Sequence, residues 1–257
     1  MPVHEVAASG FDREAGVYER SRPSYPPDAV AWLAEHLHVA PGRVVLDLAA
    51  GTGKLTRLLE PFGSVLLAAE PVEGMRAQLR ATSPAVPTLA ATAERLPFVA
   101  AALDAIVVAQ AFHWFDADAA MRETHRVLRP GGRLGLVWNA RDRSADHVDR
   151  LWSIMDRVEK RAPWRDHEQW RDSAAFLDAP GFTPMVEATF HHTQELTPDD
   201  VVARFRSVSH VAVLPPAEQA VVLAEVRTVL AEHPDTRDRA TVTIPYRVDA
   251  FWCERRA

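Results

Sequence analysis

The sequence predicts an α/β fold in which a mostly parallel sheet carries helices on both faces. Two observations predict it. From about residue 28 to 140 helix-like and strand-like segments alternate at the spacing of βαβ units, and strand-like runs such as Val44 to Leu48 are continuously apolar. The first of those runs leads straight into a glycine turn and a helix, "VVLDLAAGTGKL", the arrangement that brings backbone N–H groups and the positive end of a helix to a nucleotide-like ligand.

The elements follow in order. Asp28 to His38 has apolar residues at helical spacing, Val44 to Leu48 is a strand, Lys54 to Phe62 a helix, and Val65 to Ala69 a strand closed by Glu70-Pro71. Gly74 to Thr82 reads as a helix, Thr88 to Ala91 as a short strand, Ala105 to Ala109 as a buried strand and Asp118 to Leu128 as a helix. "RPGG" is a turn into the strand Arg133 to Trp138. Beyond it, Val148 to Arg161 is helical and "APWRDHEQWRD" an irregular connection. Met185 to Leu196 alternates as a strand, Pro198 to Val208 and Pro216 to His233 are helices, and Thr241 to Trp252 is a last strand. The whole of 1–257 is expected to be one domain: an N-terminal lid over 1–27, a core over 28–140, and acceptor-side helices with the last two strands over 141–257.

Composition narrows the class. A chain of 257 residues with 47% hydrophobic content buries a core readily. Its formal net charge of −6 argues against general nucleic-acid or anionic-membrane binding, both of which need a basic surface. The lone Cys253 makes no internal disulfide, and no cysteine cluster has zinc-site spacing, so no metal is expected. The N-terminus has acids and prolines where a signal peptide needs a basic end and an apolar run, so the expectation is a cytoplasmic protein, monomeric or homodimeric, acting on small molecules.

Ligands of open α/β sheets bind beyond the carboxyl ends of the strands, where Asp47, Gly51 and Gly53 sit. Glycine at 51 and 53 lets the backbone turn sharply against a ligand. Glu70 follows at the end of the next strand, near the offset at which an acid commonly binds ribose hydroxyls. A dinucleotide fingerprint needs a third glycine to admit a pyrophosphate. Here the turn reads A-A-G-T-G-K beside the carboxylate of Asp47, which repels a pyrophosphate but suits an amine and a sulfonium. That describes S-adenosylmethionine and disfavours a nicotinamide oxidoreductase.

On these residues the sequence resembles the class I S-adenosylmethionine-dependent methyltransferases. "VVLDLAAGTGKLTRLL" is similar to their first motif, "LLAAEPVEGM" to the second, "ATAERLPF" to the adenine-contacting loop and "HRVLRPGGRLGLVW" to the segment entering the fifth strand. "YERSRPSYP", "AQAFHWFD" and "VWNARD" resemble the subgroup that includes trans-aconitate methyltransferase-like proteins. The resemblance implies a Rossmann-like, mostly parallel seven-stranded sheet with an antiparallel strand near its edge, an N-terminal lid and a C-terminal helical insertion. It also implies roles. Asp47 and the turn of Ala49, Gly51 and Gly53 hold the methionine portion, Glu70 with Pro71 takes the ribose, and Met75 packs near the adenine. Thr92, Ala93 and Glu94 lie along the adenine edge, and Ala109 and Gln110 lie next to the methionine portion. Ala49 stands where the family usually has glycine, which alanine tolerates if its φ stays negative. Thr92 stands where many relatives have an acid, and offers only a hydroxyl.

Methyl transfer is an in-line displacement accelerated mainly by alignment and water exclusion. His113, at a strand's carboxyl end, is positioned to act as a base where the acceptor must lose a proton, or else shapes the pocket together with Trp114. Tyr18 and Arg22 belong to the expected lid, Tyr18 near the sulfonium and Arg22 on the cofactor carboxylate. Trp114, Trp138 and His210 are candidates for the acceptor pocket. His210 lies in "SVSH", where the subgroup often reads Ser-Arg-Ser-Tyr, so an acidic acceptor does not carry over from the resemblance. His125, His191 and His192 read as structural. The competing reading is a cofactor-binding protein that is regulatory or runs another reaction on the same scaffold.

Overall fold

The computed structural model describes residues 22–159 and 179–257. Most of the expected lid, with Tyr18, lies outside the described residues, as does the connection "APWRDHEQWRD".

The helices are α1 (Pro27–His36), α2 (Lys54–Leu59), α3 (Glu73–Thr82), α4 (Ala117–Val127), α5 (Asp146–Glu159), α6 (Pro198–Arg206), α7 (Ser209–Ala212) and α8 (Pro216–Glu232). The strands are β1 (Val44–Leu48), β2 (Val65–Ala69), β3 (Thr88–Leu89), β4 (Leu103–Ala109), β5 (Leu128–Arg141), β6 (Val186–Leu196) and β7 (Val242–Glu254). They form one sheet in the order β3-β2-β1-β4-β5-β7-β6. The pairs from β3 to β5 are parallel, whereas β7 runs antiparallel to both β5 and β6, so the sheet is mixed at one end.

Apolar alternation on both faces explains this architecture. Leu46, Leu48, Ile106, Val108, Leu134 and Leu136 point into one core with α4, while Val45, Ala105, Val107 and Val137 point into the other with α1, α2 and α3. The continuous apolar runs of the sequence are therefore two interleaved period-2 patterns. A third core forms where α5 presents Val148, Leu151, Trp152 and Met155 to Val201 and Phe205 of α6, to Val222 and Val226 of α8, and to Val242 and Ile244 of β7. Those spacings put one apolar face of each helix inward.

Local signals set the ends. Asp116 caps α4 by accepting from the Ala119 amide at 3.1 Å, and Thr197 caps α6 by accepting from Asp200 at 3.1 Å. Two expectations are corrected. The stretch Lys54 to Phe62 is a helix only to Leu59 and closes as a 3-10 turn over Glu60–Phe62, because Pro61 lacks the amide that would continue the ladder. "RPGG" lies inside β5 and does not precede it. Leu103 pairs with Leu128 and Ala105 with Arg133, so the extra residues bulge out of the ladder, with Gly131 at φ 75.

Candidate active site

Asp47 shares the parity of Val45, so it faces α2, and there it is fully buried. The Thr56 hydroxyl donates to its Oδ2 at 2.6 Å. Its other oxygen, Oδ1, is buried and accepts nothing. Burial, reinforced by the nearby charge of Glu70 and opposed by the Thr56 bond, pushes the Asp47 carboxyl up to about 7. An acceptor without a donor is costly in a protein interior, and a ligand ammonium is the type of group that would relieve it.

The turn after β1 has Gly51 at φ 59 and Gly53 at φ 84. A Cβ at Gly51 would meet nothing within 4 Å, so the backbone there faces open space, whereas one at Gly53 would stand 3.0 Å from Leu79 of α3. The first glycine exposes backbone to a ligand, and the second admits a helix. Ala49 has φ 55, contrary to the expectation of a negative value. The turn demands a left-handed residue immediately after β1, and the alanine adopts that conformation at a cost of about 1–2 kcal/mol. Gln110, immediately after the adjacent strand β4, is also left-handed, at φ 59. Two strained non-glycine residues thus stand side by side at the carboxyl edge of the sheet, as is common where a site is held in a set geometry.

Glu70 is 6% exposed. Its Oε2 accepts from the Gly51 amide at 2.9 Å and its Oε1 from the Val72 amide at 2.9 Å. Burial raises its carboxyl from the ordinary range, and these two bonds oppose the rise. Arg76 donates to the carbonyls of Glu70 and Pro71 at 2.7 and 2.6 Å, fixing the β2–α3 turn from below. Each Glu70 oxygen keeps acceptor capacity beyond its one amide.

The structure brings several other expected residues to the same edge. Met75 is buried in α3. Thr92 forms a bridge with Arg95, Ala93 is buried, and Glu94 accepts from the Asp116 amide at 3.0 Å, so the carboxylate of Glu94 braces the loop before α4. Ala109 ends β4, and His113 and Trp114 lie in the 3-10 turn Phe112–Trp114 beyond it, half-buried, with ring centroids 5.0 Å apart. Trp138 is buried in β5, edge-on to Phe251 at 6.1 Å. His210 belongs to α7, and its side chain lies outside the described residues. The guanidinium of Arg22 donates to the carbonyl of Ser207, the residue capping α6, at 3.3 Å.

Some contributors were not legible beforehand. Thr56 gave no signal beyond a hydroxyl on the inner face of a helix. Asn139, in the quoted "VWNARD", donates to the Ser24 carbonyl at 3.1 Å and accepts from His192 Nε2 at 2.8 Å, tying the segment before α1 to β5 and β6. His192 is half-buried and His191 exposed, the alternation expected along this strand. His125 packs edge-on to Phe182 at 5.6 Å. Cys253 is buried, its thiol pushed up to about 12 by desolvation, and is inert. No described helix is long and apolar enough to cross a membrane.

A mixed sheet of this order, with a buried acid and a glycine turn at the carboxyl end of its first strand and a second acid just beyond its neighbour, defines a Rossmann-like α/β protein. Comparison with known proteins agrees. Residues 46–136 match the methyltransferase domain family. An uncharacterized methyltransferase of Mycobacterium tuberculosis is 40% identical over 236 residues, covering 92% of this chain and 91% of its own. A methyltransferase-like protein of Schizosaccharomyces pombe is 30% identical over 98% of both chains. Among solved structures, one assigned as a type II methyltransferase from Anaeromyxobacter dehalogenans is 27% identical with a TM-score of 0.62, covering 91% of this chain and 96% of that one. Phosphoethanolamine N-methyltransferase 2 of Haemonchus contortus, solved with S-adenosylhomocysteine, shares the fold at 16% identity and a TM-score of 0.56, over 96% of this chain and 58% of that one. The chain belongs to the class I S-adenosylmethionine-dependent methyltransferases.

Proposed function

We propose that the protein moves a methyl group from S-adenosylmethionine to a small-molecule acceptor by in-line displacement, and that the residues at the carboxyl edge hold the donor as the sequence motifs suggest. The observation that carries this reading is the buried, partnerless Oδ1 of Asp47 beside the open backbone of Gly51. Asp47 then receives the amino group of the methionine portion, Glu70 takes the ribose hydroxyls with its remaining lone pairs, and Met75, Thr92 and Ala93 border the adenine. When bound, the cofactor supplies an activated methyl on a sulfonium. His113 and Trp114 stand where an acceptor would approach, with His113 as base for acceptors that carry a proton to be lost.

One observation bears on the acceptor. Arg204 of α6 is 8% exposed, its Nε and Nη1 are buried and accepted by nothing, and its guanidinium lies 5.9 Å from the Trp152 ring centroid. It precedes by one turn the Ser207 carbonyl that Arg22 engages. A buried cation with idle donors is expensive unless an anion completes it, and this supports an acceptor carrying a carboxylate or phosphate.

Turnover tests the reading. Release of S-adenosylhomocysteine should appear with some member of a panel of small carboxylates and phosphates, and fall at least tenfold in Arg204→Gln. Tight cofactor binding without turnover on any acceptor would favour the regulatory reading instead.

A further inference from the structure

A second cluster of functional groups lies away from the glycine turn, where the start of α5, the end of α8 and the start of β7 meet. His147 is 8% exposed, and its Nε2 lies 3.0 Å from the Thr243 carbonyl. A carbonyl only accepts, so Nε2 carries the proton and Nδ1 is left with a bare lone pair. That Nδ1 is buried and has no partner. His233, also buried, is oriented in the same way. Its Nε2 lies 2.8 Å from Asp146 Oδ2, which Arg150 also engages at 2.8 Å, and its Nδ1 accepts only the Asp235 amide, at 3.1 Å. The two rings are 5.6 Å apart. Oδ2 of Asp235 stands 3.9 Å from His147 Nδ1 and 3.8 Å from His233 Nδ1, too far to accept a hydrogen bond from either.

We propose that His147, His233 and Asp235 form a binding site for a zinc-type divalent cation, separate from the methyl-transfer site and not dependent on that activity. The inference rests on the idle, buried Nδ1 of His147 and on the gathering of three ligand atoms within 4.8 Å of one another. Each imidazole spends its far N–H on a carbonyl or a carboxylate, as the outer partners of metal-ligating histidines require; His147 Nδ1 is idle, and His233 Nδ1 exchanges the Asp235 amide for the cation. Two neutral imidazoles and one carboxylate suit a borderline cation such as zinc, with water completing the tetrahedron. Bonds of about 2.0–2.1 Å place tetrahedral ligands about 3.3 Å apart, so the three ligand atoms must draw together, Asp235 Oδ2 by about half an ångström relative to each ring nitrogen. The Asp235 side chain is 68% exposed and has room to do so. No cysteine count announces the site, and His233 and Asp235, two positions apart, meet His147 only through the fold. Among the described residues it is the one group of three such side chains whose ligand atoms lie within 4.8 Å of one another. A bound cation would fasten the α8–β7 connection to α5, bracing the third core.

The test uses the full chain without an affinity tag, stripped with a chelator and titrated with zinc and with cobalt(II). One equivalent of zinc should be retained through dialysis, cobalt should give the visible absorption of a tetrahedral site, and the melting temperature should rise with zinc. Asp235→Asn, at an exposed position, should weaken zinc binding at least tenfold while leaving the circular dichroism spectrum unchanged. His147→Gln should abolish stoichiometric binding. Failure of the wild type to retain zinc would overturn the site, and so would binding of equal strength in both variants.

Discussion

The Gly51 amide donates to Oε2 of Glu70 at 2.9 Å, so the acid at the end of β2 is a strut for the glycine turn after β1. Its second oxygen holds the Val72 amide at the start of α3. The residue expected to meet the ribose thus also shapes the loop that meets the methionine portion.

Glu70→Ala removes both functions. It leaves two amides without acceptors and takes away a charged partner for the cofactor, at about 1.5–3 kcal/mol for each bond to the charged group. Calorimetry with S-adenosylhomocysteine should show affinity reduced at least tenfold, and unchanged affinity would refute the ribose assignment. Glu70→Gln keeps carbonyl acceptance for one amide only and should fall between the two.

Asp47 gives the site a pH dependence. Its carboxyl sits near 7 in the ligand-free protein, and a bound ammonium would draw it down, so binding takes up the ionised form. Affinity for S-adenosylhomocysteine should therefore be level above about pH 7 and fall by up to about tenfold per unit below it. Asp47→Asn should bind weakly at every pH and flatten the profile. A wild-type profile that is flat from pH 5 to 8 would contradict the Asp47 assignment.

The same shift acts on stability with the opposite sense. An acid raised above its unfolded value contributes stability that is full below about pH 4 and lost as pH rises through about 7. Each unit of the rise is worth about 1.4 kcal/mol. In ligand-free denaturation, the stability of wild type relative to Asp47→Asn should fall from about pH 4 to 7 and level off above about 7. A constant difference would mean that Asp47 is not titrating in this window.

Ala49→Gly should stabilise the protein. The left-handed φ of 55 costs alanine about 1–2 kcal/mol, of which the greater entropy of glycine in the unfolded chain takes back a part. A gain of about 0.5–1 kcal/mol in denaturant unfolding is expected. A loss would show that the alanine methyl makes packing contacts worth more than the strain.

His113→Ala separates the two roles open to this residue. If His113 meets the acceptor, turnover falls while S-adenosylhomocysteine affinity holds. Loss of affinity with unchanged turnover per bound cofactor would make it a structural part of the Phe112–Trp114 turn.

The sequence by itself determined the strands and helices of the cofactor half. Val44–Leu48 and Val65–Ala69 appear with the expected bounds, because short apolar runs closed by Gly, Pro or Glu carry their own start and stop signals. It also determined that Asp47, the glycine turn and Glu70 fall at one edge, since parallel strands joined by short crossovers bring their carboxyl ends together. Tertiary structure alone decided what those residues do to one another. The idle Oδ1 of Asp47, the Glu70 strut, the left-handed Ala49 and Gln110, and the "RPGG" bulge all follow from a neighbouring strand or helix that local periodicity does not report. The meeting of His147, His233 and Asp235 is the extreme case. Each residue is unremarked in its own segment, and only the packing of α5 against α8 and β7 brings the two imidazole nitrogens and a carboxylate within 4.8 Å of one another.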